Sequence, residues 1–139
     1  MKKLNLYFGI TLFALFLYTG HVLHNGFVAT GGADGYARLQ NRANHIYLLF
    51  VALFNLASFK WLFAQALKPV EPLARCLLVL AGLCAAVGFF VESATSVDRR
   101  MWMPAAVVCA FLAVALLLAD EAYAKIKRSP KRMHESAPE

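Results

Sequence analysis

Four long apolar runs divide the chain. They cover residues of about 4–24, 44–67, 73–92 and 101–121, and polar or charged residues separate them. A helix rises about 1.5 Å per residue, so a run of about 20 residues crosses a hydrocarbon layer about 30 Å thick. The first run also fits a secretory signal peptide, but it is longer than the usual signal core and no A-x-A-like site follows it closely. The pattern therefore predicts an all-α integral membrane protein, a four-transmembrane-helix bundle.

Polar residues inside the first two runs follow helical spacing. With Ala14 included, those of the first run lie alternately four and three apart: Tyr7, Thr11, Tyr18, His21 and Asn25. Those of the second run fall within about a quarter-turn of one another: Asn44, Asn55, Ser58 and Gln65. A polar group that faces lipid costs free energy. We therefore expect both stripes to face other helices.

The third and fourth runs are rich in small residues. Their small-residue ridges are Ala81/Ala85 and Gly82/Ala86 in the third run and Ala105/Cys109/Ala113 in the fourth. Small side chains at such spacing let helix backbones approach closely in a membrane. We expect the ridges to pack these two runs together and to offer a surface through which copies of the chain associate.

The segment between the first two runs, residues 25–44, contains turn signals at Gly31-Gly32 and Asp34-Gly35. Asp34 is a suitable N-cap for a short amphipathic helix that reaches Asn44. We expect this short helix to lie at the membrane interface and to run into the second span. The glycines match neither a P-loop nor a dinucleotide-binding pattern.

The composition agrees with a membrane protein. The chain has 139 residues, of which 60% are hydrophobic and 16% charged, whereas soluble domains are about half apolar and about a quarter charged. The three cysteines lie inside apolar runs without a CxxC pair, so no disulfide framework or thiol redox motif is indicated. The net charge of +6 comes from residues that flank the runs. These charges form no groove-reading motif, so no nucleic acid is predicted as a partner. The apolar runs predict the lipid bilayer as a partner.

The distribution of cations predicts the orientation. With four crossings, the side that holds both termini collects nine cations: Lys2, Lys3, Lys68, Arg75, Lys125, Lys127, Arg128, Lys131 and Arg132. The other side collects four: Arg38, Arg42, Arg99 and Arg100. The positive-inside rule then places both termini in the cytoplasm, and we expect a bacterial inner membrane. Residues 1–124 would form the membrane domain and 125–139 a basic, disordered cytoplasmic tail.

This topology gathers polar residues at the outer ends of all four helices. The first helix ends with His21 and His24, the second begins at Asn44 and His45, and the third ends at Glu92. The other members of this predicted outer cluster are Asn25, Arg38, Tyr47, Asp98 and Arg99. Neighbouring helices in a bundle lie about 8–10 Å apart, so these residues should come close together.

Three functions fit such a cluster. The favoured interpretation is a structural network in a non-enzymatic membrane subunit or scaffold, which forms a homo-oligomer or binds a partner membrane protein. The second is a metal or haem site, because the set His21, His24, His45 and Glu92 offers imidazoles and a carboxylate, the ligands of zinc, non-haem iron and haem. The third is a path for protons or a small solute. Catalysis is less favoured, because no Ser–His–Asp order or HExxH motif is present.

Overall fold

The computed structural model describes residues 2–29, 35–60, 70–92 and 100–135, and within them it shows four helices. They are α1 (Lys2–Ala29), α2 (Gly35–Lys60), α3 (Val70–Val91) and α4 (Trp102–Glu135). Three of them contain segments long and apolar enough to span a membrane: Lys3–Gly26, Val70–Val91 and Trp102–Tyr123. The predicted all-α architecture is confirmed, and the three apolar helices support a membrane protein.

Helix α2 differs from the other three because polar residues interrupt its apolar run, and no segment of it qualifies as an apolar span within the described residues. The reason lies in its buried face. Asn44, Asn55 and Ser58 are each at most 1% exposed. The predicted stripe of the second run thus faces protein at these three positions. Gln65 and the rest of the predicted span beyond Lys60 lie outside the described residues.

The segment predicted as a short helix forms the N-terminal part of α2. Residues 35–44 continue into the rest of α2 without a break. Asp34, the predicted N-cap, lies outside the described residues. The location of this segment at a membrane interface stays a prediction.

The helices pack as two pairs. Helix α1 packs against α2, α3 packs against α4, and α2 and α3 join the pairs. Within the described ranges α1 and α4 do not contact each other. The bundle therefore has α2 and α3 at its centre and α1 and α4 on its flanks, which leaves one side of α1 uncovered.

The small-residue ridges pack against helices of the same chain. Ala81, Ala85 and Ala113 are fully buried in the core. A Cβ atom added to Gly82 would lie 2.5 Å from a ring carbon of Phe8, so α1 packs directly on this glycine. The expected packing of α3 against α4 is confirmed. Ala86, Ala105 and Cys109 are only half-buried, so the association of copies through the ridges stays a prediction.

The polar stripe predicted on α1 faces outward, so that expectation was wrong. Tyr7 is 65% and Tyr18 63% exposed, and Thr11, Ala14, His21 and Asn25 are exposed as well. The buried face of α1 carries instead Asn5, Gly9, Leu12 and Thr19. Glycine explains the choice of face: Cβ atoms added to Gly9 and Gly20 would lie 2.9 Å from Leu56 and 3.1 Å from His45. These glycines let α2 approach closely.

Helix α4 extends to Glu135. The sequence predicted a disordered tail from residue 125, and the structure differs there, because residues 125–135 continue the helix. Lysine and arginine, which have high helix propensity, are frequent in this segment. Residues 136–139 lie outside the described residues.

Candidate functional site

The carboxylate of Glu92 connects the end of α3 to the start of α4. Its Oε1 accepts hydrogen bonds from the backbone N–H groups of Met101 and Trp102, at 2.6 and 2.5 Å, and its Oε2 accepts one from Met103 at 3.1 Å. The first N–H groups of a helix lack partners within the helix, and the helix dipole favours a negative charge there. Glu92, which is 1% exposed, therefore acts as the cap of α4.

Two features hold Glu92 in this position. Its backbone carbonyl accepts a hydrogen bond of 2.6 Å from Nε2 of Gln40, which ties the end of α3 to α2. A Cβ atom added to Gly88, one turn earlier, would lie 3.3 Å from Oε2 of Glu92 and 3.1 Å from Met103. The absence of a side chain at Gly88 leaves room for the carboxylate between α3 and α4. The sequence had predicted that Glu92 points inward, and the structure agrees.

His45 joins α2 to α1. Its Nδ1 lies 3.2 Å from Oγ1 of Thr19, and its ring stacks on Phe16 with centroids 4.1 Å apart and an angle of 18° between the rings. The Thr19 hydroxyl lies 2.9 Å from the carbonyl of Leu15, to which it donates. Since a hydroxyl has one proton, its oxygen accepts from Nδ1–H of His45. The ring edge with Cε1 and Nε2 faces Gly20 of α1.

His21 and His24 lie apart from this arrangement, because both are exposed on α1. His21 Nε2 lies 3.0 Å from Nδ2 of Asn25, one turn along the same helix. His21 and Asn25 thus contact each other on the outward face of α1 and not α2 or α3.

The described residues do not fit the predicted metal site. No group of three or more His, Cys, Asp or Glu side chains that could hold a metal ion occurs among them. Glu92 binds backbone N–H groups, and Nε2 of His45 faces the close contact with Gly20. Neither a divalent metal nor haem is supported by the predicted ligands.

The other predicted members of the outer cluster have different environments. Asn44 is 1% exposed, and its Nδ2 has no hydrogen-bond partner among the described residues. Arg38 is half-buried. Tyr47 lies at an apolar groove of about 300 Å³ between α2 and α4, whose other lining residues include Phe50, Phe54 and Phe111. Asp98 and Arg99 lie outside the described residues.

A second buried polar cluster, at the other end of the bundle, was not predicted. Asn5 of α1 donates from Nδ2 to Oδ1 of Asn55 on α2 at 3.0 Å and lies 3.3 Å from the carbonyl of Arg75 on α3. Asn55 donates to the carbonyl of Leu78 on α3 at 3.0 Å. Three helices are thus joined by two asparagines. Buried interhelical hydrogen bonds of this kind hold membrane helices together.

The second cluster, which we call the inner cluster, consists of Asn5, Asn55 and Arg75. Arg75 is its largest fully buried side chain. It is 1% exposed, and its Nε lies 3.0 Å from Oε1 of Glu71, one turn earlier on α3. Asp120 of α4, 6% exposed, lies one turn beyond Leu117, which packs with Ala74. From the sequence alone, Arg75 counts among the cations of the cytoplasmic side. The spacing of four between Glu71 and Arg75 favours an ion pair on a helix and is the sequence signal for this burial.

Comparisons with known protein families, with curated proteins and with solved structures gave no match for this chain.

Proposed function

We propose that the chain is a non-enzymatic subunit or scaffold of a bacterial inner membrane, with four crossings and both termini in the cytoplasm. The observation that carries this proposal is the arrangement of Glu92. Each oxygen of its carboxylate binds backbone N–H groups at the start of α4. A catalytic or metal-binding carboxylate needs access to a substrate or ion, whereas a cap needs burial and fixed partners. Glu92 meets the second requirement.

His45 supports the same interpretation. Its ring is held between Thr19, Phe16 and Gly20, so that it fills the contact between α1 and α2. A general base must reach a proton of its substrate within about 2.6–3.2 Å. The nitrogen that does not contact Thr19 faces the backbone of α1 instead. The histidine most central in the bundle therefore serves packing.

The arrangement of the core argues against a path for protons or a solute. The outer cluster at Asn44 and the inner cluster at Asn55 lie eleven residues apart on α2, about 16 Å along the helix. Leu48, Val51 and Ala52 lie between them on the same helix, and each is at most 4% exposed. They pack with small residues of α3 and α4 into one core. This apolar layer separates the two polar clusters.

The proposal is tested on the whole chain, extracted from membranes in a mild detergent. We expect the 15.4 kDa chain to elute in an assembly larger than one copy, with no stoichiometric metal and no visible absorption band of haem. We also expect reconstituted vesicles to show the same proton flux as vesicles without protein. A lone monomer, a stoichiometric metal or haem, or a flux that Glu92→Gln abolishes would each contradict the proposal.

A further inference from the structure

The apolar groove between α2 and α4, which we name the α2–α4 groove, has a volume of about 300 Å³. Every residue that lines it is apolar or aromatic, among them Phe50 and Phe54 of α2 and Ala110, Phe111 and Val114 of α4. Phe50 is 56% and Phe111 71% exposed. The groove is therefore open to the outside of the bundle, where an empty space between helices loses dispersion contacts on one side.

Hydrogen bonds fix the height of the groove relative to the outer ends of the helices. Gln40 of α2 binds the carbonyl of Glu92, whose carboxylate binds the N–H group of Met101 at the start of α4, so these residues lie at one level. The groove begins further along the helices, at Tyr47 of α2 and Ala106 of α4, which is about 8–10 Å below this level. The headgroup region of a leaflet is about 5–8 Å thick. Helix ends at the headgroups therefore place the groove at the start of the hydrocarbon.

The length of the groove matches one leaflet of a bilayer. Between Ala106 and Val114 it extends about 12 Å along α4, and half of the hydrocarbon core is about 15 Å thick. An acyl chain that lies along the helices fits this length. Tyr47, at the outer end of the groove, is 42% exposed, and its hydroxyl is a donor for the ester oxygens where such a chain begins.

A cation at the outer end of α4 supplies charge for a headgroup. Arg100 just precedes the start of α4 and stands about two turns before Val107 of the groove. The residue is half-buried, and Nε and Nη2 of its guanidinium are buried without a hydrogen-bond partner among the described residues. A cation removed from water costs free energy until an acceptor binds it. Phosphate, which a guanidinium binds through two parallel hydrogen bonds, is the acceptor that lipid headgroups offer at this height.

We propose that the protein binds an anionic phospholipid of the outer leaflet, with one acyl chain in the α2–α4 groove and the phosphate at Arg100. Lipid tails are as apolar as the groove, so the groove contributes shape, and the selection among lipids comes from the charge at Arg100. The inference goes beyond the proposed function, because it assigns a ligand. It requires the groove to lie in the membrane but does not require the chain to be a subunit.

The headgroup is tested on the full chain in mild detergent, which is titrated with phosphatidylglycerol or with phosphatidylcholine of the same acyl chains. Native mass spectrometry measures the bound lipid. We expect phosphatidylglycerol to bind on the order of tenfold more tightly, and Arg100→Gln to remove this preference. The matched control, Arg42→Gln, removes an exposed cation at the same end of the bundle, about 140° around α2 from Tyr47. The preference should persist in this control.

The groove is tested with a second pair of variants in the same titration. Val107→Trp places a large ring in the groove, and Val108→Trp places the same ring on the adjacent position, which is 55% exposed. We expect Val107→Trp to weaken the binding of phosphatidylglycerol on the order of tenfold, because the ring occupies the space of the acyl chain. Val108→Trp should leave the binding unchanged.

The outcomes separate this inference from the proposed function. Equal binding of the two lipids, or equal effects within either pair of variants, would overturn the lipid site. An assembly that Val107→Trp dissolves and Val108→Trp retains would also overturn it, because the groove then holds another protein chain. Loss of the lipid with the assembly intact leaves the subunit function standing. A monomer that keeps the lipid preference contradicts the subunit function and supports the lipid site.

Discussion

At the scale of single residues, the two ends of the bundle are held by buried polar side chains that each connect different helices. Glu92 binds the start of α4, and its carbonyl binds Gln40 of α2. Asn55 binds both α1 and α3 at the opposite end. Since lipid offers no hydrogen bonds, each of these groups keeps its partners within the protein. The polar residues thus fix which helices meet and at what height.

A substitution at Glu92 tests this role. Glu92→Gln keeps the shape of the side chain, removes its charge and replaces one acceptor oxygen with an NH2 donor. The backbone N–H groups that bind this oxygen then lose their acceptor. We expect the free energy of unfolding to fall by about 1–3 kcal/mol. Denaturant unfolding in detergent measures this loss.

The matched control is Arg42→Gln, which neutralises an exposed side chain on α2. We expect this control to change stability by less than about 0.5 kcal/mol. Equal losses from the two variants would show that Glu92 does not act as a cap.

The sequence revealed part of this detail. The stripe formed by Asn44, Asn55 and Ser58 follows from helical spacing alone, and so does the inward position of Glu92. Arg75 could not be assigned in the same way, because a cation near a helix end either faces water or enters the bundle. Its burial depends on which neighbouring helices cover it, and the local pattern does not contain that information.

At the scale of helices, the close approach of α1 and α2 decides which face of α1 is buried. Gly9 and Gly20 lie eleven residues apart, about three turns, and so on one side of α1. Both face α2, at Leu56 and His45. The polar stripe on the opposite side suggested the wrong face, because in a membrane helix polarity and glycine spacing can each mark an interface. Here the glycines mark the contact inside the chain.

The contact at Gly9 gives a second prediction. A Cβ atom at this position would lie 2.9 Å from the backbone nitrogen of Leu56, so α1 and α2 must move apart. We expect Gly9→Ala to lower the free energy of unfolding by about 1–3 kcal/mol. Thermal unfolding of the purified chain gives the comparison.

Gly26→Ala is the control on the same helix, since a Cβ there would meet nothing within 4 Å. Alanine favours a helix over glycine, so this variant should be neutral or more stable by up to about 1 kcal/mol. A stability loss as large as that of Gly9→Ala would contradict the proposed helix contact.

At the scale of the whole molecule, the bundle is open on the side of α1. Helices α2 and α3 occupy the centre, and the described parts of α1 and α4 do not meet. The sequence predicted four helices and their order, because each apolar run is long and bounded by polar residues. It could not predict that α1 stays on the flank, which depends on how the two helix pairs dock.

The accessibility of one position near the end of α1 and one near the end of α4 tests the four crossings most directly. Single cysteines at exposed His24 and at Ile126 of the basic segment, in a Cys76→Ser background, are treated on intact cells with a thiol reagent that does not cross membranes. We predict that His24→Cys is labelled from outside, whereas Ile126→Cys is labelled only after the membrane is opened. Labelling of Ile126→Cys on intact cells, or protection of His24→Cys, would contradict the account.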